Sequence, residues 1–211
     1  MRLRKNNGGG PIRSHHAQLE PYVSASTSIN WRHPEILKKA AELAAKRRNT
    51  LDIARACFEF VRDEIRHSYD FRLNPVTCKA SDVLKYQTGF CYAKSHLLAA
   101  LLRANNIPAG MCYQRLTKAD EKPPFSLHGL NAVYLPGIGW YRLDARGNKQ
   151  GVEAAFTPPK ENLAFSIKIR GEADFREIWP DPLPVIVDFL ESVDTFQEAY
   201  DNLPDIEVVA G

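Results

Sequence analysis

Residues 88–109 read TGFCYAKSHLLAALLRANNIPA, the most apolar helical stretch of the chain. Alanines and leucines follow Cys91 at helical spacing, and Asn105-Asn106 followed by Pro108 ends the pattern. The most apolar helix of a domain is the one expected at its centre. The sequence therefore predicts a central helix from Cys91 to Asn105.

Helical patterns precede this stretch, and strand patterns follow it. Pro34 suits the first turn of one upstream helix, and Thr50 can cap a second. Downstream, alternating apolar residues predict an antiparallel sheet with a hairpin turn near residues 136–139. Helices followed by such a sheet indicate an α+β fold. The predicted extended segments are Tyr69 to Asn74, Ala109 to Leu116, Leu127 to Leu135, Trp140 to Asp144 and Asn162 to Arg170, and a late helix is predicted around Val185 to Tyr200.

Length and composition are those of an ordinary globular domain. The chain has 211 residues, of which 44% are hydrophobic and 25% are charged, which excludes a largely disordered chain or a coiled coil. The net charge of +3, from 28 basic and 25 acidic residues, is too small to indicate a nucleic-acid partner. The longest apolar run, Leu97 to Leu102, is far below the ~20 residues of a membrane span, so no membrane contact is expected.

The four cysteines, Cys57, Cys78, Cys91 and Cys112, include no C-x-x-C pair, so a structural zinc site is not expected. The first residues, MRLRKNNGGGPIR, are basic but lead into no apolar stretch, so no secretory signal is predicted. We therefore expect reduced thiols and a cytoplasmic protein. Motifs of phosphate loops, dinucleotide sites, serine hydrolases and zinc proteases are absent, and no metal or cofactor is predicted.

Cys91 is the residue with the best local setting for chemistry. It stands at the start of the predicted central helix, where the positive end of the helix dipole and unpaired N–H groups favour a thiolate. Gly89, two positions earlier, lets the backbone turn sharply and leaves the sulfur accessible. The alternative is that Cys91 is a small buried residue, as most free cysteines are.

A thiolate nucleophile needs a base and a group that orients the base, and His128 and Asp144 are the candidates. His128 lies at the start of the first predicted hairpin strand, and Asp144 lies at the end of the second. A loop with an odd number of residues, such as 136–138, pairs Leu135 with Gly139 and places His128 and Asp144 on the same face as diagonal neighbours. An even loop places them on opposite faces, so the proposed site requires an odd loop.

The chemistry of these side chains assigns their roles. Cys91 attacks a carbonyl carbon, His128 takes the thiol proton and later protonates the leaving amine, and Asp144 holds the imidazole tautomer. His96 lies about 140° around the helix from Cys91 and is expected to point elsewhere.

The quoted stretch resembles the cysteine box of the transglutaminase-like superfamily, with its Gly-x-Cys start and its Arg-Ala-x-x-Ile-Pro-Ala exit. His128, followed by a strand, a turn and the run GWYRLD at residues 139–144, resembles the histidine and aspartate boxes. The resemblance implies a papain-like α+β core in which the nucleophile helix packs on an antiparallel sheet. It also implies acyl transfer from a carboxamide or peptide through a cysteine thioester.

The expected organisation is an irregular segment at residues 1–30, a catalytic core at residues 31–170 and a C-terminal extension at residues 171–211 packed on the core. Two positions depart from the family pattern. Leu130 stands where many members have tryptophan, and Ala132 where many have an acid. Neither position carries the acid–base step, so the departures concern the cleft beside His128.

Three further residues are candidates around the expected site. The backbone N–H of Cys91 can serve as one donor to an oxyanion. Gln87 or Tyr69 could supply the second donor. Arg146 could orient a substrate carbonyl or carboxylate, or could be an ordinary loop residue.

The sequence thus favours a cysteine enzyme that transfers or hydrolyses the acyl group of a carboxamide or peptide bond. Its substrate would be a protein or peptide, glutamine-containing in one version, and the acceptor an amine or water. One alternative is a cysteine peptidase or amidase with the same three residues. Another is a catalytically silent binding module on the same fold.

Overall fold

A computed structural model of the chain describes residues 18–119 and 122–206. Residues 1–17 of the expected irregular N-terminal segment lie outside the described residues. Residues 18–33 follow as turns and a short 3₁₀ helix at Glu20–Tyr22.

Helices occupy the first half and the end of the described chain, and strands lie between them. The helices are α1 (Pro34–Ala44), α2 (Thr50–Glu64), α3 (Ser68–Phe71), α4 (Ala80–Tyr86), α5 (Cys91–Ala104), α6 (Pro184–Ser192) and α7 (Phe196–Asp201). The strands are β1 (Arg66–His67), β2 (Thr88–Gly89), β3 (Ala109–Ala119), β4 (Lys122–Leu135), β5 (Gly139–Leu143) and β6 (Ala173–Asp174). The α+β class is confirmed.

The strands form two sheets of different kinds. The larger sheet is antiparallel, in the order β5-β4-β3-β6. The smaller sheet is a parallel pair in which His67 of β1 lies opposite Gly89 of β2. This pair connects the end of α2 to the residues just before α5, so it brings two distant segments to the start of the central helix.

Helix α5 is the centre of the molecule, as its composition predicts. All of its residues from Cys91 to Arg103 are buried. It contacts β3 and β4 on one side and α1, α2 and α4 on the others. Each leucine side chain buried in this way stabilises the fold by roughly 1.5–3 kcal/mol. A helix enclosed on all sides needs no polar face, which explains why its sequence shows none.

Leu130 and Ala132, the two departures from the family pattern, lie in a small apolar cluster apart from the main core. Both are fully buried with Cys112, and Trp140, Leu163 and Ile178 cover them. Later parts of the chain therefore fill the space beside β4 at these positions.

Three predicted segments differ from the structure. Tyr69 to Asn74 is not extended, because the Ser68 carbonyl accepts the N–H of Leu73 (2.9 Å) and closes the short helix α3. Residues 162–170 form no strand. Their alternation reflects a loop that lies over the larger sheet and makes no ladder of hydrogen bonds. The late helix is divided into α6 and α7.

Among residues 18–119 and 122–206, no helix has the length and apolar character needed to cross a bilayer.

Candidate active site

Cys91 is the first residue of α5 and lines a cavity of about 370 Å³. Its side chain is largely buried, with 8% of the residue exposed. Phe90 precedes the helix in an extended conformation. Gly89 packs tightly, because a Cβ there would lie 3.2 Å from the Cβ of Ala93 and from Oγ1 of Thr77. The turn into α5 is therefore closely packed at this position and presents the sulfur at a helix N-terminus.

His128 and Asp144 are brought together by the hairpin. The loop between β4 and β5 has three residues, and Leu135 pairs with Gly139, so the required odd loop is confirmed. His128 Nε2 lies 2.7 Å from Asp144 Oδ2. Both side chains are buried, and Asp144 is fully so.

Backbone groups on two sides hold the Asp144 carboxylate. Its Oδ1 accepts the N–H of Arg146 at 3.1 Å, and its Oδ2 accepts the N–H of Ala164 at 3.2 Å. The ring of Phe165 meets the His128 ring edge-on, with centroids 5.0 Å apart. The loop at residues 162–170 thus closes over the histidine and orients its partner.

Cys91 lies beside the same imidazole. Both residues line the cavity, and the Gly129 N–H, from the residue after His128, donates to the Cys91 sulfur at 3.5 Å. Because Asp144 engages Nε2, Nδ1 is the nitrogen available to the thiol. One imidazole therefore lies next to both the sulfur and the carboxylate.

The charges of this group support one another. Burial alone would lower the pKa of His128, but the Asp144 carboxylate, together with Cys91, raises it to about 10. Burial would raise the pKa of Asp144, whereas the His128 ring and the two backbone N–H groups lower it. The arrangement therefore favours a protonated imidazole next to an ionised Asp144 carboxylate.

The other cysteines have a different setting. Burial raises the pKa of the Cys57 and Cys112 thiols to about 12 and that of Cys78 to about 11. His96 lies away from the site, with its Nδ1 2.7 Å from the carbonyl oxygen of Cys78. Of the four thiols, Cys91 is the one placed against a histidine and a cavity.

The structure does not bring Gln87 to the cavity. It ends α4 in the left-handed conformation, with φ +52°, and its side chain is exposed. The tight turn directs this side chain toward solvent. Tyr69 does line the cavity, but its ring stacks on Tyr200 with centroids 3.7 Å apart.

Arg146 lines the cavity and is held within the protein. Its guanidinium makes a two-point ion pair with Asp70, at 2.6 and 3.1 Å. Lys149 adds a third contact to the same carboxylate at 2.7 Å. Burial would raise the pKa of Asp70, but these cations lower it to about 2. Arg146 therefore belongs to an ion-pair group at the wall of the site.

His67 is a cavity-lining residue that sequence reasoning missed. It stands in β1, far from Cys91 in the chain, and reaches the site because β1 pairs with β2 directly before α5. One signal in the sequence is Asp70, three residues later, which lies 3.8 Å from His67 Nδ1. A histidine followed by an aspartate three residues later also occurs at ordinary helix ends, so this spacing does not by itself indicate a functional residue.

No group of three or more histidine, cysteine, aspartate or glutamate side chains with the spacing of a metal site occurs within the described ranges.

Solved structures superpose on this chain at low sequence identity. A candidate cysteine protease from Cytophaga hutchinsonii superposes with a TM-score of 0.52 and 22% identity, over 65% of this chain and 45% of that one. Red sea bream transglutaminase superposes with a TM-score of 0.47 and 12% identity, over 64% and 32% of the two chains. The periplasmic domain of TgpA from Pseudomonas aeruginosa gives 0.42 and 20%, over 58% and 48%. The chain spans less than half the length of each.

No curated protein matches this chain at a significant level. A family profile does: that of the transglutaminase-like superfamily aligns with residues 38–145, from within α1 to just after β5. The aligned region contains Cys91, His128 and Asp144 and is just over half of the 211 residues. The chain therefore belongs to the transglutaminase-like superfamily.

Proposed function

We propose that the protein is a cysteine enzyme that transfers the acyl group of a carboxamide or peptide bond to an amine or to water. The observation that carries this proposal is that one imidazole, His128, is held by the Asp144 carboxylate at 2.7 Å and lines the same cavity as the Cys91 thiol. A thiol in that position is a nucleophile with its base in place.

The proposed reaction has two halves. The Cys91 thiolate attacks the carbonyl carbon, and the resulting oxyanion forms a hydrogen bond to the N–H of Cys91 at the helix start. When the tetrahedral intermediate collapses, the C–N bond breaks and the His128 imidazolium donates its proton to the leaving amine. The thioester then accepts an amine or water, whose proton His128 takes, and the thiolate leaves.

The cavity supports a substrate that presents a side chain or a short peptide segment. Its volume of about 370 Å³ lies within the range of small ligand pockets. Its lining combines apolar side chains, including Leu116 and Leu203, with cationic side chains, including Lys149. We propose a protein or peptide substrate, with glutamine side chains as the first to be tested.

The first experiment measures whether Cys91 is activated by His128. Iodoacetamide labelling of the native protein, followed by mass spectrometry, should modify Cys91 at least about 100-fold faster than Cys57, Cys78 and Cys112. His128→Ala should abolish that difference. The control is His33→Asn, which replaces an exposed histidine at the N-cap of α1 with another good capping residue.

Equal labelling of all four cysteines would contradict the proposal and would favour a silent binding module. If Cys91 is activated, a glutamine peptide with and without a labelled amine separates the reaction types. Amine incorporation indicates transamidation, ammonia release alone indicates deamidation, and peptide cleavage indicates a peptidase. If Cys91 is reactive but the glutamine peptide gives none of these products, other acyl donors should be tested.

We also propose the cytoplasm as the working compartment. All four cysteines are free, and an activated thiol works only while it stays reduced.

A further inference from the structure

His67 is a buried imidazole with one unsatisfied ring nitrogen. Only 7% of the residue is exposed. Among residues 18–119 and 122–206 its buried Nδ1 has no hydrogen-bond partner, since Asp70 Oδ2 at 3.8 Å is too distant. His67 lines the active-site cavity, so Nε2 is the ring nitrogen that a bound molecule can reach. Buried polar groups of this kind are rare and require an explanation.

Its position relates it directly to the nucleophile. His67 lies opposite Gly89 in the parallel strand pair, two residues before Cys91. Its ring packs edge-on against Phe90, with centroids 5.6 Å apart, and this contact fixes its orientation. His67 is therefore attached to the same turn that exposes the N–H of Cys91, on a strand and not on a mobile loop.

The surroundings keep this ring neutral. Burial lowers the pKa of His67 well below 6.5, and the Arg146 guanidinium lowers it further. A neutral ring carries a single N–H. On Nδ1 it would be a buried donor with no acceptor within hydrogen-bonding distance in the described part of the chain, whereas on Nε2 it can be satisfied by a molecule in the cavity.

We propose that His67 is the second oxyanion donor, whose Nε2–H binds the carbonyl oxygen of the substrate as Cys91 attacks. The inference rests on the proposed acyl-transfer function. No proton moves in this role: the N–H shortens its hydrogen bond as negative charge develops on the oxygen. A neutral ring suits the role, because it stabilises the oxyanion without competing with His128 as an acid.

The test compares two reactions of the same sulfur. Acylation by p-nitrophenyl acetate passes through an oxyanion, whereas alkylation by iodoacetamide does not. His67→Phe keeps a planar ring against Phe90 and removes the N–H. It should slow acylation of Cys91 by about 10²-fold and leave the alkylation rate within about twofold. His67→Gln, which restores an N–H donor, should recover part of the acylation rate.

His33→Asn is the control, since it replaces an exposed histidine that does not line the cavity. It should leave both rates unchanged. The proposal is overturned if His67→Phe slows both reactions equally, because His67 would then act on the thiol or on the fold, or if it slows neither. If the wild-type Cys91 reacts with neither reagent, the proposed function itself fails, and the two failures are thereby distinguished.

Discussion

At the scale of single residues, Asp144 sets the protonation of His128. Its carboxylate is fully buried and accepts hydrogen bonds from the His128 ring and from the N–H groups of Arg146 and Ala164. The two backbone donors keep it ionised and fixed in place. Nε2 of the imidazole must then carry the proton toward Asp144, which leaves Nδ1 to exchange a proton with the sulfur.

The Asp144→Asn variant tests this arrangement by its pH dependence. The carboxylate raises the pKa of His128 to about 10, so acylation of Cys91 should persist until the pH approaches that value and the imidazolium loses its proton. Loss of the negative charge lowers the His128 pKa. We expect the alkaline limb to move down by at least about one pH unit, measured with an accepted peptide amide, whose leaving amine needs the imidazolium proton. An unmoved limb would contradict the assigned role of Asp144.

Among the contacts between secondary-structure elements, Gly129 determines how closely β4 approaches α5. A Cβ at this position would lie 2.9 Å from Cδ1 of Tyr92 and 3.1 Å from its Cα. The Tyr92 side chain cannot move aside freely, since its hydroxyl donates to the carbonyl of Leu127. The absence of a side chain at residue 129 therefore allows His128, its neighbour, to reach Cys91.

Gly129→Ala should separate the strand from the helix. We expect a loss of unfolding free energy of roughly 1–3 kcal/mol from overpacking, and alkylation of Cys91 at least about tenfold slower. Chemical denaturation and iodoacetamide labelling measure the two effects.

Gly137→Ala is the matched control in the hairpin turn. Its φ of +77° makes alanine unfavourable by about 1–2 kcal/mol, but no atom lies within 4 Å of the added Cβ. It should lower stability without slowing the labelling. Similar labelling rates in the two variants would show that the close approach at Gly129 does not position His128.

At the scale of the whole molecule, the C-terminal part of the chain completes the cavity. The Leu127 N–H donates to the Pro204 carbonyl at 2.8 Å, and Arg115 forms a two-point ion pair with Asp205 at 2.6 Å. Tyr200 and Leu203 line the cavity as a result. One wall of the site thus comes from residues beyond the region that the family profile covers.

Tyr200→Ala should weaken substrate binding more than chemistry. The variant removes the ring stacked on Tyr69 and one face of the cavity, and such aromatic contacts contribute about 0.5–1.5 kcal/mol. We expect KM for an accepted peptide to rise about three- to tenfold while the alkylation rate of Cys91 stays unchanged. Tyr86→Ala, on an exposed tyrosine of α4, is the control. An unchanged KM would exclude this wall from substrate binding.

The stability of the whole molecule should depend on pH through two buried bases with opposite signs. His128 has a pKa of about 10, above its unfolded value of ~6.5, so its contribution is present below pH ~6.5 and is lost as the pH rises through about 10. Burial lowers the pKa of Lys94 to about 7, below its unfolded value of ~10.4, so stability is gained as the pH rises through the same window.

Between pH 7 and pH 8 the two effects offset each other in the wild type, and the buried cysteines, which ionise in the unfolded chain only near pH ~8.5, do not yet contribute. In this window we expect the free energy of unfolding in urea to rise with pH in His128→Gln, where the Lys94 effect remains. In Lys94→Met it should fall with pH. Slopes of the same sign in the two variants would contradict the assigned protonation states.

The fold class, the central helix and the two hairpin strands could be predicted from the amino-acid sequence. Local physics is sufficient for these features: the burial of α5 follows from its composition, and the pairing of Leu135 with Gly139 follows from loop length and strand alternation. The placement of His128 beside Asp144 could be worked out in advance for the same reason, because the two residues are joined by a short hairpin.

The rest of the site could not be predicted from the sequence and follows from the tertiary structure. His67 comes to Cys91 through a strand pair between distant segments, and Tyr200 through a late helix. Gln87 is close to Cys91 in sequence, but its own left-handed backbone conformation turns its side chain away from the cavity. Residues 162–170 have the alternation of a strand but cover His128 as a loop. The physical reason is common to all four: periodicity and spacing describe a segment, whereas these positions depend on how distant segments pack.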